Sequence, residues 1–351
     1  MRRSSFVLAL MAMVAALPLF AASNGDVQGI PFSSSSSEAV QLVQKAQKLV
    51  DVGRPIEARD LLQQAISKDP GFSYAQVAMA TVALSPEEFK KDLDMASKNS
   101  TGQSDAVKLL IQINQTFIDN NAQKRLELSN QLVQKYPQSP RAWLNLGFSQ
   151  GTLNQFVDQR KSFEKALELD PKFEAAHYAL AFSYVFNQPK DPAQAVKHFQ
   201  TCIQMNPSEA KAYEGLGDSY RGLNQLEKAR DAYSQSIAKD PKLVPPQLKK
   251  GHINSFMGNF DEARADYDKA VAGAEPVNKL NYALFKCLSY VYAGQPQEAV
   301  KRMQQLVDSA DSTGLPQDQI DSLKGAILNT QIIVALHANL LPDAENTLAQ
   351  I

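Results

Sequence analysis

The segment GFSQG at 147–151 has the spacing of a nucleophile elbow. In that motif a strand turns sharply into a helix and lifts a serine hydroxyl clear of the backbone, where a base can reach it. Ser149 would then be the nucleophile of a serine hydrolase. The segment SFEK at 162–165 similarly imitates a Ser-x-x-Lys pair. His177, His198, His252 and His337 are scattered, with no H-E-x-x-H and no mixed Cys/His ligand spacing, so no metal is expected. GLGDSYRG at 215–222 has glycines but lacks the spacing and the preceding strand of a phosphate loop. Acidic residues fall singly on the faces expected to meet solvent, leaving no carboxylate pair for acid–base work. No cofactor is expected.

Whether any of this is chemistry depends on the elements that carry it. Arg2 and Arg3 precede an apolar run over Phe6–Phe20, and Ala21-Ala22-Ser23 supplies small residues for cleavage. Residues 1–23 therefore read as a signal peptide, too short to span a bilayer comfortably, and no second apolar run follows. The expectation is an exported protein, periplasmic or secreted, with no membrane-spanning segment after cleavage. NGDVQGIPFSSSSS at 24–37 lacks periodicity and reads as a flexible Ser-rich tether, ending in a Ser35-x-x-Glu38 capping box. Beyond it apolar residues recur at three- and four-residue spacing, and no period-two run is long enough to predict a strand.

The formal net charge is −1, from 36 basic and 37 acidic side chains, without a Lys/Arg stripe, so no nucleic acid partner is expected. Cys202 and Cys287 are 85 residues apart and fall in different repeats. They are expected to be two buried thiols, because a disulfide needs Cα atoms within about 7 Å.

A hexapeptide ending in proline recurs as AISKDP (65–70), LVQKYP (132–137), ALELDP (166–171), CIQMNP (202–207) and SIAKDP (236–241). Pro137, Pro171, Pro207, Pro241 and Pro276 are spaced by 34, 36, 34 and 35 residues, and Pro70 stands 67 before Pro137. A period near 34 is a solenoid signal. Other landmarks keep step with it: Trp143, Leu146, Gly147, Phe163 and Ala166; Leu180, Ala181, Tyr184, Ala195 and Phe199; Tyr213, Leu216, Gly217, Tyr220, Ala229 and Tyr233.

The order aromatic, Leu-Gly, Tyr, Ala, Phe, Ala, Pro resembles the tetratricopeptide repeat family. The resemblance covers about 39–351, is clearest over 140–273, and is weakest over 73–105, a degenerate repeat. It implies an all-α, right-handed superhelical solenoid of antiparallel helix pairs, eight units plus a short ninth. Neither helix of a pair can bury its apolar stripe alone, so stacking must supply the core. Glycine costs about 1 kcal/mol in a helix, so Gly147 and Gly217 predict close helix approach, and Ala166, Ala229, Ala263, Ala270 and Ala299 make the same demand. Proline stops each second helix.

The repeat phase places GFSQG in mid-helix, where no elbow can form, and no catalytic residue is expected. The resemblance instead implies a concave surface lined by the first helix of each pair. Its inward positions are Leu144 and Phe148; Tyr178, Phe182 and Phe186; Lys211, Glu214, Asp218 and Arg221; Leu248, His252 and Phe256; Leu284, Leu288 and Tyr292. The Lys, Asn and Arg of the family's carboxylate clamp are mostly replaced by Leu, Phe and Tyr. The surface suits an amphipathic helix or an extended segment with apolar anchors. The expected function is a non-catalytic scaffold for a protein or peptide partner in the cell envelope. The alternatives are a structural subunit or assembly factor using its convex face or ends, and a serine hydrolase acting through Ser149. The same apolar positions would also serve internal packing or self-association.

Overall fold

The computed structural model describes residues 23–350, so the proposed leader lies outside the described residues except for Ser23. The chain forms two compact units, one of residues up to 50 together with 54–141, the other of 51–53 together with 142–351.

The first unit opens with a β-hairpin, β1 (Ser23–Val27) paired antiparallel with β2 (Ile30–Ser34), Gly25 opposite Phe32. This corrects the flexible tether expected over 24–37. Gln28 and Gly29 both adopt positive φ, as a two-residue hairpin loop requires. Val27, Ile30 and Phe32 are buried, and Phe32 stacks on Tyr74 with ring centroids 4.5 Å apart. The amide of Gln103 accepts from Ser33 N–H and donates to its C=O, a side chain standing in for a third strand. Asp69 accepts from Ser34 Oγ at 2.6 Å and Ser35 N–H at 2.7 Å. The capping box is corrected as well: Ser36, not Ser35, caps the first helix by accepting from Ala39 N–H.

Helix pairs follow: α1 (Ser37–Asp51) with α2 (Pro55–Lys68), α3 (Ser73–Thr81) with α4 (Pro86–Lys98), and α5 (Asp105–Ile118) with α6 (Ala122–Lys135). The degenerate repeat now has a physical reason. Every residue of α3 from Ser73 to Ala80 is buried, so it needs no amphipathic stripe, and the repeat landmarks disappear with the stripe.

In the second unit the pairs are α7 (Pro140–Gly151) with α8 (Phe156–Leu169), α9 (Glu174–Phe186) with α10 (Pro192–Met205), and α11 (Ala210–Gly222) with α12 (Leu226–Lys239). Then come α13 (Val244–Phe256) with α14 (Phe260–Gly273), α15 (Pro276–Tyr292) with α16 (Pro296–Ser309), and α17 (Gln317–His337) with the short α18 (Leu341–Leu348). Eighteen helices among the described residues, with adjacent helices packed in pairs, make an all-α repeat solenoid apart from the hairpin. The core repeats with the sequence: Phe163, Phe199, Tyr233, Tyr267 and Met303, one from each second helix of α8 to α16, are buried. Glycine on the paired first helix makes room for the ring. A Cβ on Gly217 would stand 2.5 Å from Tyr233 and one on Gly251 2.7 Å from Tyr267, and Gly147 meets Phe163 in the same way. The five alanines expected at close approaches are all buried.

The turn inside a pair has its own signature. Gly53, Asn120, Asn154, Asn224, Gly258, Gly294 and Asn339 all take positive φ there, the region open to glycine and tolerated by asparagine.

Candidate binding surface on the first helices of the second unit

Ser149 sits within the unbroken helix α7, buried, and its Oγ donates to the carbonyl of Asn145 one turn earlier at 3.0 Å. The geometry of an elbow is absent. Ser162 of the SFEK segment donates to Gln150 Oε1. His177 fills a buried aromatic slot: its Nδ1 lies 2.9 Å from His198 Nδ1 and its Nε2 meets the Pro171 carbonyl at 3.1 Å. Burial, then the His177 and Lys197 charges, push His198 down to about 4. Cys202 and Cys287 are buried free thiols, and burial pushes Cys287 up to about 11. Among the described residues no group of three or more metal-ligating side chains converges, and no helix is long and apolar enough to cross a membrane.

The fifteen residues expected to line a surface divide by depth. Leu144 and Tyr178 are 2% and 5% exposed. Leu144 belongs to the core cluster of Phe163, Phe173 and Leu180, and Tyr178 to that of Val52, Phe199 and Leu216. Leu144 and Tyr178 are therefore core residues, a correction to their placement on the surface. Leu284 and Leu288, half-buried, pack against the core of the last repeats. One or two turns further along the same helices the rings emerge. Phe148, Phe182 and Phe186 are 52%, 43% and 51% exposed, and Phe256 and Tyr292 more than 60%. On α7 and α9 this face is packed into the core at Leu144 and Tyr178 and open at Phe148, Phe182 and Phe186.

Along α9, Tyr178, Phe182 and Phe186 stand at i, i+4 and i+8, one face of a helix. Their rings lie nearly parallel, with centroids 6.4 Å and then 5.8 Å apart. Phe199 of α10 supports them edge-on, 5.9 Å from Tyr178 and 5.5 Å from Phe182. Phe148 packs edge-on against Phe163. Phe285, which the repeat phase did not single out, is also exposed and meets His252 edge-on at 4.6 Å. Burial, then Arg221, push His252 down to about 4, and its Nδ1 pairs with Tyr267 Oη at 2.9 Å.

The charged belt on α11 is differently disposed. Asp218 is buried, accepting from Tyr233 Oη at 2.8 Å and from Lys249 Nζ at 2.6 Å, and Lys249 also reaches Glu214 at 2.6 Å. Arg221 Nη2 lies 3.5 Å from Asp218. Asp218 is thus committed inside the unit, which corrects its role as an open contact; Arg221 and Lys211 remain accessible to solvent. Lys249 was missed because its place on α13 is not one of the inward positions of the repeat. Burial would lower it, but Asp218 and Glu214 together hold it above its ordinary range.

A polar cavity of about 350 Å³ opens on α12 to α14, lined by residues including Arg230, Lys250, Asn254 and Asp266. Asp266 already accepts from Gln247, Asn254 and Lys250 there.

Residues 140–173, 190–243 and 246–272 match family models described as tetratricopeptide repeat. Over those residues the chain is built of tetratricopeptide repeats. Proteins of this family act as protein-interaction scaffolds. The chain is similar to anaphase-promoting complex subunit 3 of Schizosaccharomyces pombe, 24% identical over 46% of this chain and 24% of that one. It is likewise similar to the Hsp70-Hsp90 organizing protein of Triticum aestivum, 27% identical over 33% of this chain and 19% of that one. The chain thus spans about a quarter or less of the length of these relatives. Among solved structures, a tetratricopeptide repeat protein from Parabacteroides merdae is 14% identical with a TM-score of 0.45, covering 84% of this chain and 100% of that one.

Proposed function

We propose that the second unit binds an apolar segment of a protein partner on the surface formed by its first helices, and that the aromatic ladder of α9 is the main anchor. The observation that carries this reading is the ladder itself. Tyr178, Phe182 and Phe186 stack in register, Phe199 holds the rings from beneath, and the outer two are about half exposed. Exposed rings in register bury large apolar area on a partner at little cost in side-chain order. Phe148 adds a second anchor on α7, and Arg221 and Lys211 orient the segment.

Residues 1–23 act as an export leader in this reading, so the scaffold works in the cell envelope or outside the cell. Protein recovered after export is expected to begin at Asn24 when its N-terminus is sequenced. The binding surface is tested by Phe148→Ala combined with Phe182→Ala. The double variant is expected to keep its helicity by circular dichroism and to lose the proteins that the wild type captures from envelope extracts. Unchanged capture of those same proteins would show that the surface is wrongly assigned.

A further inference from the structure

The open polar cavity on α12 to α14 is lined by charges of two kinds, those already committed and those without a partner. Asp266 is buried and committed: it accepts from Gln247 Nε2 at 2.6 Å, Asn254 Nδ2 at 2.8 Å and Lys250 Nζ at 3.3 Å. Arg230, Glu262 and Lys269 line the same cavity, and among the described residues their side chains make no hydrogen bond or ion pair. Asn259 stands at the N-cap of α14, yet its side chain caps nothing.

The chemistry of a guest follows from what is left. With Lys250 and Asp266 neutralising each other, the cavity presents two positive charges and one negative. A complementary guest carries two negative charges and one positive. The volume of about 350 Å³ lies near the lower end of the range for small-molecule sites, about 300–1,000 Å³. Apart from Ala265 the described lining is polar, so nothing in it rewards a lipid tail or an aromatic ring. Glu262 and Lys269 share one face of α14 at i and i+7, about 10 Å apart along its axis. Two charge-assisted hydrogen bonds of about 2.8 Å, with a few bonds of guest between them, span that distance. Arg230, half-buried, reaches the cavity from α12, and its planar fork suits a carboxylate.

We propose that this cavity binds a free amino dicarboxylate, the class of aspartate and glutamate. One carboxylate lies in the fork of Arg230, the other meets Lys269, and the ammonium group meets Glu262, with the Asn259 amide completing its hydrogen bonds. The site is separate from the aromatic ladder of α9 and goes beyond the scaffold reading. A phosphate monoester fits less well, because it brings two negative charges and nothing to offset Glu262.

The test is isothermal titration calorimetry of the purified protein with three matched probes. They are L-glutamate, glutarate, which lacks the ammonium group, and γ-aminobutyrate, which lacks one carboxylate. L-glutamate is expected to bind about tenfold more tightly than either, the scale of one charge-assisted contact. Glu262→Gln should erase its advantage over glutarate, and Arg230→Gln should weaken L-glutamate and glutarate alike. Both variants replace side chains without partners, so they should melt with the wild type. Equal binding of L-glutamate and glutarate to the wild type would overturn the proposal, since the ammonium would then be unread. An advantage that survives Glu262→Gln would overturn it too, placing the guest elsewhere. Absence of binding by L-glutamate at millimolar concentration would overturn the site outright.

Discussion

Helices α9 and α11 occupy the same place in successive repeats and present matching positions, yet they use them in opposite ways. Tyr178 and Phe182 on α9 correspond to Glu214 and Asp218 on α11. On α9 the side chains stack on one another and the outer rings stay open to solvent. On α11 they turn inward, bound by Tyr233 of the paired helix and Lys249 of the next repeat. The difference is one of desolvation. A ring can be left half exposed at modest cost, whereas a carboxylate taken out of water needs a partner at once, and the nearest one is inside the fold. One repeat position therefore serves as a surface in one unit and as an internal tie in the next.

The largest effect is expected from the residue beneath the ladder. Phe199→Ala removes a fully buried ring that supports both Tyr178 and Phe182 and should cost about 4 kcal/mol in urea unfolding. A loss below about 1 kcal/mol would mean that the ladder holds itself up. Next comes the tie: Asp218→Ala strands Lys249 beside a single carboxylate and should cost about 3 kcal/mol. Adding Lys249→Met should recover part of that loss, and its failure to do so would dissolve the contrast between the two helices.

A smaller effect appears with pH, and the contrast predicts its sign. Folding raises Glu174 from 4.5 to about 7, so between those values the folded chain binds more protons than the unfolded one. Stability should therefore fall as pH rises through that window, and Glu174→Gln should flatten the fall in thermal melts. His198 and His252 run the other way, lowered from 6.5 to about 4. The stability they contribute above pH 6.5 is lost as pH falls toward 4, and His252→Asn should reduce that acid sensitivity. The smallest effect belongs to Phe186→Ala, half exposed at the open end of the ladder. It should change stability by no more than about 0.5 kcal/mol while weakening partner binding, as unfolding and capture measured side by side would show.

Much of this fold is legible in the residues. The spacing of Pro137, Pro171, Pro207 and Pro241 marks the repeat, and the phase that follows from it locates the glycines at 147 and 217 against the rings of Phe163 and Tyr233. The same phase by itself shows Ser149 to be a helix residue. The hairpin is less legible, because only Val27, Ile30 and Phe32 are buried apolar residues in its Ser- and Gly-rich surroundings. A period-two signal that short falls below what pattern alone can support. The positive-φ asparagines and glycines between paired helices were open to the same periodic reading as the prolines, and they offer a second register of the repeat.

The sequence by itself determined the period, the pairing of helices and the face each helix turns to its neighbours, because these follow from the 3.6-residue turn and the need to bury apolar stripes. Only the tertiary structure decided depth and partnership. Leu144 and Phe148 lie one turn apart on one face, and stacking alone buries the first and exposes the second. Asp218 read as an open charge until Lys249, 31 residues away, was brought to 2.6 Å from it. Helical periodicity specifies direction around an axis, but it says nothing of what stands opposite, and what stands opposite decides whether a side chain is core, tie or contact.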